Sequence, residues 1–237
     1  MLLRAGILLV ALAATHSLAA DSGAVALSIR AATNDFRASE RIAALDTDPR
    51  LAKAAQEFAS FMARTGKYGH DADGRTPALR ATAAGYDHCV VSENIAYQES
   101  SVELNAEELS RTLMDSWKNS AGHRKNLLDA DVTQFGVGVA RASNGRNYAV
   151  QLFAKPSTEM MNFEIRNSSA AVFNYKFGET AYSLPVGTKR MHGFCRPAPL
   201  LVPDAAAVTP LNGDKFTVVG EAGKARVLRG SVLAPAR

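Results

Sequence analysis

The stretch from Asn105 to Phe153, NAEELSRTLMDSWKNSAGHRKNLLDADVTQFGVGVARASNGRNYAVQLF, changes its hydrophobic period once, and that change decides the fold class. In its first part Leu109, Leu113 and Trp117 fall at i, i+4 and i+8, with Met114 widening the stripe, so one face of a helix is apolar. Asn105 can cap that helix while Glu108, at its third position, answers as in a capping box. The helix is expected to end near Lys118, before Asn119-Ser120-Ala121-Gly122. In the second part Phe135, Val137 and Val139 alternate with Gly and Ala, Asn144-Gly145 is a strong turn signal, and Tyr148, Val150 and Leu152 alternate again. These read as the two strands of a β-hairpin. Helices first and an antiparallel pair last predict an α+β layered domain rather than a repeating βαβ sheet.

Upstream, Val25, Ile29, Ala32 and Phe36 keep near-helical spacing. Asp48-Pro49 then supplies an N-cap and a proline at the first helical position, and Leu51, Ala55, Phe58 and Met62 continue one face until Gly66. Thr76-Pro77 repeats the device for a shorter helix that Gly85 ends. Downstream, short strand-like runs at 162–166, 171–177 and 215–219 predict a small β-rich appendage, with the boundary at Lys155-Pro156. Asn167-Ser168-Ser169 fits a glycosylation sequon but reads more simply as a turn.

The 237 residues, 47% hydrophobic and 21% charged, exclude a disordered or fibrous chain. The formal net charge of +4 is uneven: residues 21–155 are close to neutral, and residues 156–237 carry 10 Lys and Arg against 6 Asp and Glu. No tight basic run or interleaved aromatics accompany that charge, so a nucleic-acid partner is not expected and a solvated basic face is. Residues 1–20 have the form of a secretory signal, with Arg4, an apolar run from Ala5 to Ala14 and small residues before Asp21. That run is too short to span a bilayer, and no later segment is long and apolar enough, so a soluble, monomeric, secreted or periplasmic protein is expected. Cys89 and Cys195, an even pair in an exported chain, are expected to form one disulfide.

Residues with chemistry lie in Tyr68-Gly69-His70, Ser92-Glu93-Asn94-Ile95-Ala96, Trp117-Lys118-Asn119-Ser120 and Ala121 to Leu128. Taken singly none is specific: a histidine after a helix is most often a hydrogen-bonding loop residue, and Glu93-Asn94 alone reads as a turn. Their order, with Thr33 to Arg37 before them and Phe135-Gly136-Val137-Gly138 and Tyr148 to Phe153 after them, resembles the CAP superfamily. That superfamily takes in cysteine-rich secretory proteins, antigen five and class-one pathogenesis-related proteins. The resemblance is to its bacterial branch and covers residues 25–155, leaving 156–237 unexplained. It implies a three-layer α-β-α sandwich with a cleft lined by two histidines and two acids. The matching positions are His70, His123 and Glu93, whereas the second acid, three residues after Trp117, is replaced here by Ser120.

Two imidazoles and a carboxylate could supply three ligands to a divalent metal such as zinc and leave a fourth position to water. The competing reading is a His-Glu-His hydrogen-bond network that only fixes the cleft loops. Ser120 in place of an acid weakens a metal-dependent hydrolase or peptidase built on Glu93, and no Gly-x-Ser-x-Gly elbow makes Ser120 a nucleophile. Ser120 is expected to cap a short helix starting at Ala121. Trp117 is assigned to the core, Tyr148 is a candidate cleft aromatic, and Asn94 is expected in a tight loop that orients Glu93. The expectation is therefore a secreted CAP-domain protein whose cleft (His70, Glu93, Ser120, His123) binds a metal or small ligand, without established catalysis. Its basic C-terminal region would contact another surface. Lipid or sterol carriage ranks below the hydrolase alternative, because no long apolar loop recommends it.

Overall fold

A computed structural model describes residues 21–100, 104–221 and 225–230. The signal-like segment 1–20 lies outside the described residues. Helix α1 (Ser22–Ser39) starts at Asp21, whose carboxylate accepts from the Gly23 amide. Strand β1 (Asp46–Thr47) leads into helix α2 (Pro49–Thr65), where Asp48 caps the Arg50 and Leu51 amides, Pro49 sets the first turn and Gly66 ends the helix at φ 70°. Helix α3 (Pro77–Ala83) is capped by Thr76. Strand β2 (His88–Gln98) follows, then helix α4 (Ala106–Asn119) behind the reciprocal Asn105–Glu108 capping box, and helix α5 (Ala121–Leu127). The hairpin is β3 (Gln134–Arg141) and β4 (Asn147–Pro156).

These strands make one sheet in the order β1-β3-β4-β2, antiparallel except for the β1–β3 pair. On one face Ile29, Leu109, Leu113, Met114 and Trp117 from α1 and α4 pack with Phe135, Val137 and Val139. On the other, Leu51, Ala55, Phe58 and Met62 from α2 pack with Ile95, Tyr148, Val150 and Leu152, and Ala81 of α3 joins them. The result is a helix–sheet–helix sandwich, and Trp117 belongs to its core with no exposed surface.

Gly136 and Gly138 face α2. A Cβ on Gly136 would run into the backbone of Leu51 and Ala52, and one on Gly138 into that of Ala55 and Gln56. The Phe-Gly-Val-Gly-Val alternation thus gives β3 two different faces: large side chains toward α1 and α4, and bare backbone on which α2 lies directly.

Strand β2 corrects the sequence reading, which took Glu93-Asn94 as a turn or tight loop. Ser92, Glu93 and Asn94 interrupt the apolar alternation because here the strand carries polar groups on both faces, but ten register pairs hold it against β4. Its end is bonded through Cys89 to Cys195, as expected.

Beyond a 3-10 turn (Ser157–Glu159) lie β5 (Met161–Asn167), β6 (Phe173–Phe177), β7 (Thr180–Leu184), β8 (Lys189–Phe194), β9 (Leu200–Leu201), β10 (Lys215–Val219) and β11 (Arg226–Gly230). They form two sheets, β11-β10-β5-β8 and β7-β6-β9, over a core of Phe163, Ile165, Phe173, Tyr175, Phe194, Phe216 and Val218. Three of these strands match the runs read from the sequence, and β7, β8, β9 and β11 were missed. Their residues alternate too weakly: β7 and β8 are mostly exposed. Asn167 of the sequon is fully buried, its amide donating to the Ala171 and Leu184 carbonyls and its oxygen accepting from Ser169. Arg196 binds Asp129 and Asp131 and Lys155 donates to the Cys195 carbonyl, so three contacts cluster around the disulfide. No helix among the described residues is long and apolar enough to cross a membrane.

Candidate functional site

The site forms at β2, the outer strand of the central sheet. Successive side chains on a strand point to opposite faces. Glu93 accordingly turns toward the α2–α3 side and Asn94 toward α5, so one dipeptide reaches groups on both faces of the sheet. The Glu93 side chain is 1% exposed. Its Oε1 lies 2.8 Å from His70 Nδ1, and its Oε2 accepts from Arg80 Nη2 at 2.6 Å. Burial raises the Glu93 carboxyl above the usual glutamate range, a shift that Arg80 and His70 offset only in part. An ionised carboxylate only accepts, so the 2.8 Å bond puts a hydrogen of His70 on Nδ1; in the neutral ring the free electron pair is then on Nε2. The His70 side chain is 53% exposed, so that nitrogen's ring reaches solvent.

His123 sits in the short helix α5. Asn94 holds that helix by donating to the His123 carbonyl at 3.2 Å, while Asn126 donates to Asn94 Oδ1 and to the Glu93 carbonyl. Behind them Gln151 accepts from Asn94 and donates to Thr33, whose hydroxyl donates to Ile29. Asn94 holds a backbone group, the His123 carbonyl, from within a strand and not from the expected tight loop, and its side chain leaves β2 on the face opposite to that of Glu93. His123 Nδ1 is buried without a hydrogen-bond partner. Burial first, and the nearby His70 second, lower the His123 pKa, so the ring is neutral at neutral pH. His70 meets the Glu93 carboxylate and the His123 main chain meets the Asn94 amide, so the two histidines are tied to neighbouring residues of β2.

Ser120 occupies the N-cap position of α5 as expected, but its hydroxyl makes no cap bond. Tyr148, the candidate aromatic, is buried, and the exposed rings of Tyr68 and Tyr97, 5.0 Å apart, pack against it with centroids at 6.4 and 6.0 Å. The Tyr68 hydroxyl donates to the outward carbonyl of Ile95. Sequence reasoning also missed Arg80. Its only signal was an arginine on a short helix, with nothing in the spacing to link it to Glu93, which lies thirteen positions along the chain.

Glu93 spends both oxygens on Arg80 and His70, and among the described residues no three His, Cys, Asp or Glu side chains are grouped to hold a metal ion. The side chains here that could offer a ligand nitrogen are His70 and His123, with Glu93 behind His70.

No curated protein matches the chain. Among solved structures, an outer surface protein from Borrelia burgdorferi superposes with a TM-score of 0.52 at 19% identity, over 59% of this chain and 98% of that one. At that identity the likeness is one of fold. An extracellular protein containing an SCP domain from Bacillus anthracis (TM-score 0.49, 26% identity) aligns over 56% of this chain and 41% of its own. A cysteine-rich secretory protein from Staphylococcus aureus (TM-score 0.44, 22% identity) aligns over 56% and 39%. The chain therefore spans less than half the length of these last two. The family model described as the cysteine-rich secretory protein family, CAP, matches residues 30–153, a stretch that contains His70, Glu93, Ser120 and His123. With more than half of the sequence matched and the sandwich in place around it, the chain belongs to the CAP family.

Proposed function

We propose that the cleft between His70 and His123 binds a divalent cation of the zinc class, through the imidazoles, with Glu93 as the orienting carboxylate rather than a third ligand. The observation that carries this reading is the 2.8 Å bond between His70 Nδ1 and Glu93 Oε1. A carboxylate behind a histidine fixes the tautomer and ring orientation and makes the opposite nitrogen a better donor to metal. The unpartnered Nδ1 of His123 supports it, since a buried polar atom without a partner is costly unless something binds there. Imidazoles suit zinc, copper and nickel, and a cation so held leaves positions for water or for an anionic group of a small ligand.

No catalytic step is proposed, because the engaged Glu93 carboxylate is not available as a general base. The protein is read as exported, with residues 1–20 as signal, 21–155 as the CAP domain and 156–237 as a β-rich unit whose basic face meets another surface. The disulfide and the separate aromatic core of the C-terminal strands support this division.

Calorimetric titration of zinc into the mature protein tests the proposal. Binding near one equivalent is expected, lost in His70→Ala and in His123→Ala. An absence of heat in the wild-type protein, or binding that survives both substitutions, overturns it.

A further inference from the structure

Arg80 is 2% exposed, and its guanidinium lies 3.6 Å over the ring of Phe58 in α2. It makes four hydrogen bonds. Nη2 donates to Glu93 Oε2 at 2.6 Å and to the His70 carbonyl at 2.8 Å, and Nη1 donates to Asp73 Oδ1 at 2.9 Å and to the Arg75 carbonyl at 2.7 Å. The loop from His70 to Arg75 is thus wrapped around one planar group. The single atom Nη2 references both the main chain of His70 and, through Glu93, its ring. Arg80 Nε is buried without a partner, a desolvation cost with nothing in return. A buried ion pair is seldom better than apolar packing for stability alone, and holding one geometry among several is what such a pair can add.

We infer that Arg80 is the positioning residue of the cleft: by gripping Glu93 and the His70 carbonyl together, it holds the His70 ring with Nδ1 toward Glu93 and Nε2 toward the cleft. The inference rests on the reading of His70 as the metal-facing imidazole. A lysine cannot replace this arginine, because an ammonium is a point charge without the fork that spans Glu93, His70, Asp73 and Arg75 at once.

Nitrogen-15 NMR of the imidazoles, recorded above the pH range in which they titrate, reads the His70 tautomer directly. The wild-type protein is expected to hold the hydrogen on Nδ1. In folded Arg80→Lys, His70 is expected to populate both tautomers and zinc affinity to fall about ten- to a hundred-fold, while the His123 signals stay in place. A purely structural Arg80 would lower the melting temperature of the variant and leave the His70 tautomer unchanged, and that result overturns the inference. If Arg80→Lys does not fold, Asp73→Asn loosens the other end of the guanidinium. The same change in smaller amplitude is then expected, and a wild-type His70 signal counts against the role. If the tautomer responds in these variants but the wild-type protein binds no zinc, the metal reading fails and the positioning role stands.

Discussion

Glu93 and Asn94 are neighbours in the chain, yet one reaches Arg80 and His70 and the other reaches α5. Replacing Glu93 therefore strikes the α2–α3 wall alone. Glu93→Ala leaves the Arg80 guanidinium buried with only Asp73 as counter-charge. Loss of one partner of a buried pair costs about 3–5 kcal/mol, so a large drop in the denaturant midpoint is expected, and a smaller one for Glu93→Gln, which keeps an acceptor. Equal midpoints for wild type and Glu93→Ala would show that the pair carries no such weight. His70, Glu93 and His123 were legible from the motif order. Arg80 was not, because a buried ion pair leaves no periodic mark in a sequence.

Helix α2 and strand β3 meet without side chains between them at Gly136 and Gly138. Neither glycine has a positive φ, so what they supply is the absence of a Cβ. Gly138→Ala must push α2 off the sheet, and overpacking of this kind costs roughly 1–3 kcal/mol. Denaturant unfolding is the measurement, and a variant as stable as the wild type would mean that α2 can shift freely. Helices α1 to α4 were readable because caps, prolines and a terminal glycine punctuate them and their buried faces recur at helical spacing. Strand β2 was not, since it carries the site's polar residues at the positions where alternation would have announced it.

Across the molecule, the Cys89–Cys195 bond closes 106 residues of chain separation and joins the central sheet to the end of β8. In the loop-entropy view such a closure is worth about 4–5 kcal/mol, so a Cys89→Ala, Cys195→Ala variant is expected to lose several kcal/mol. Mass spectrometry of unreduced peptides should recover the two cysteines linked, and free thiols in oxidised material would contradict the bond. Acid is expected to destabilise the protein by a separate route. His192 is buried among Phe163, Phe177, Tyr175 and Tyr182, with the Tyr175 hydroxyl 2.7 Å from its Nε2. Burial, and then Arg190, lower its pKa, as burial and His70 lower that of His123. The unfolded chain then takes up protons first, so stability is full above the ordinary histidine value near 6.5 and declines as pH falls from there toward the folded values. Unfolding free energies measured from about pH 7 to pH 5 should slope downward toward acid, less steeply in His192→Gln. An unchanged slope in that variant would remove His192 from the account.

The sequence by itself determined the helices, the hairpin, the pairing of the only two cysteines and the prominence of His70 and Glu93, which meet in the structure, because caps, turn dipeptides, periodicity and motif order are local properties of the chain. Only the tertiary structure decided that β2 is a strand, that α2 rests on bare glycine backbone and that Glu93 is engaged on both oxygens. Each of these depends on groups brought together from distant positions, and a side chain's partner across such a distance is set by packing and not by spacing.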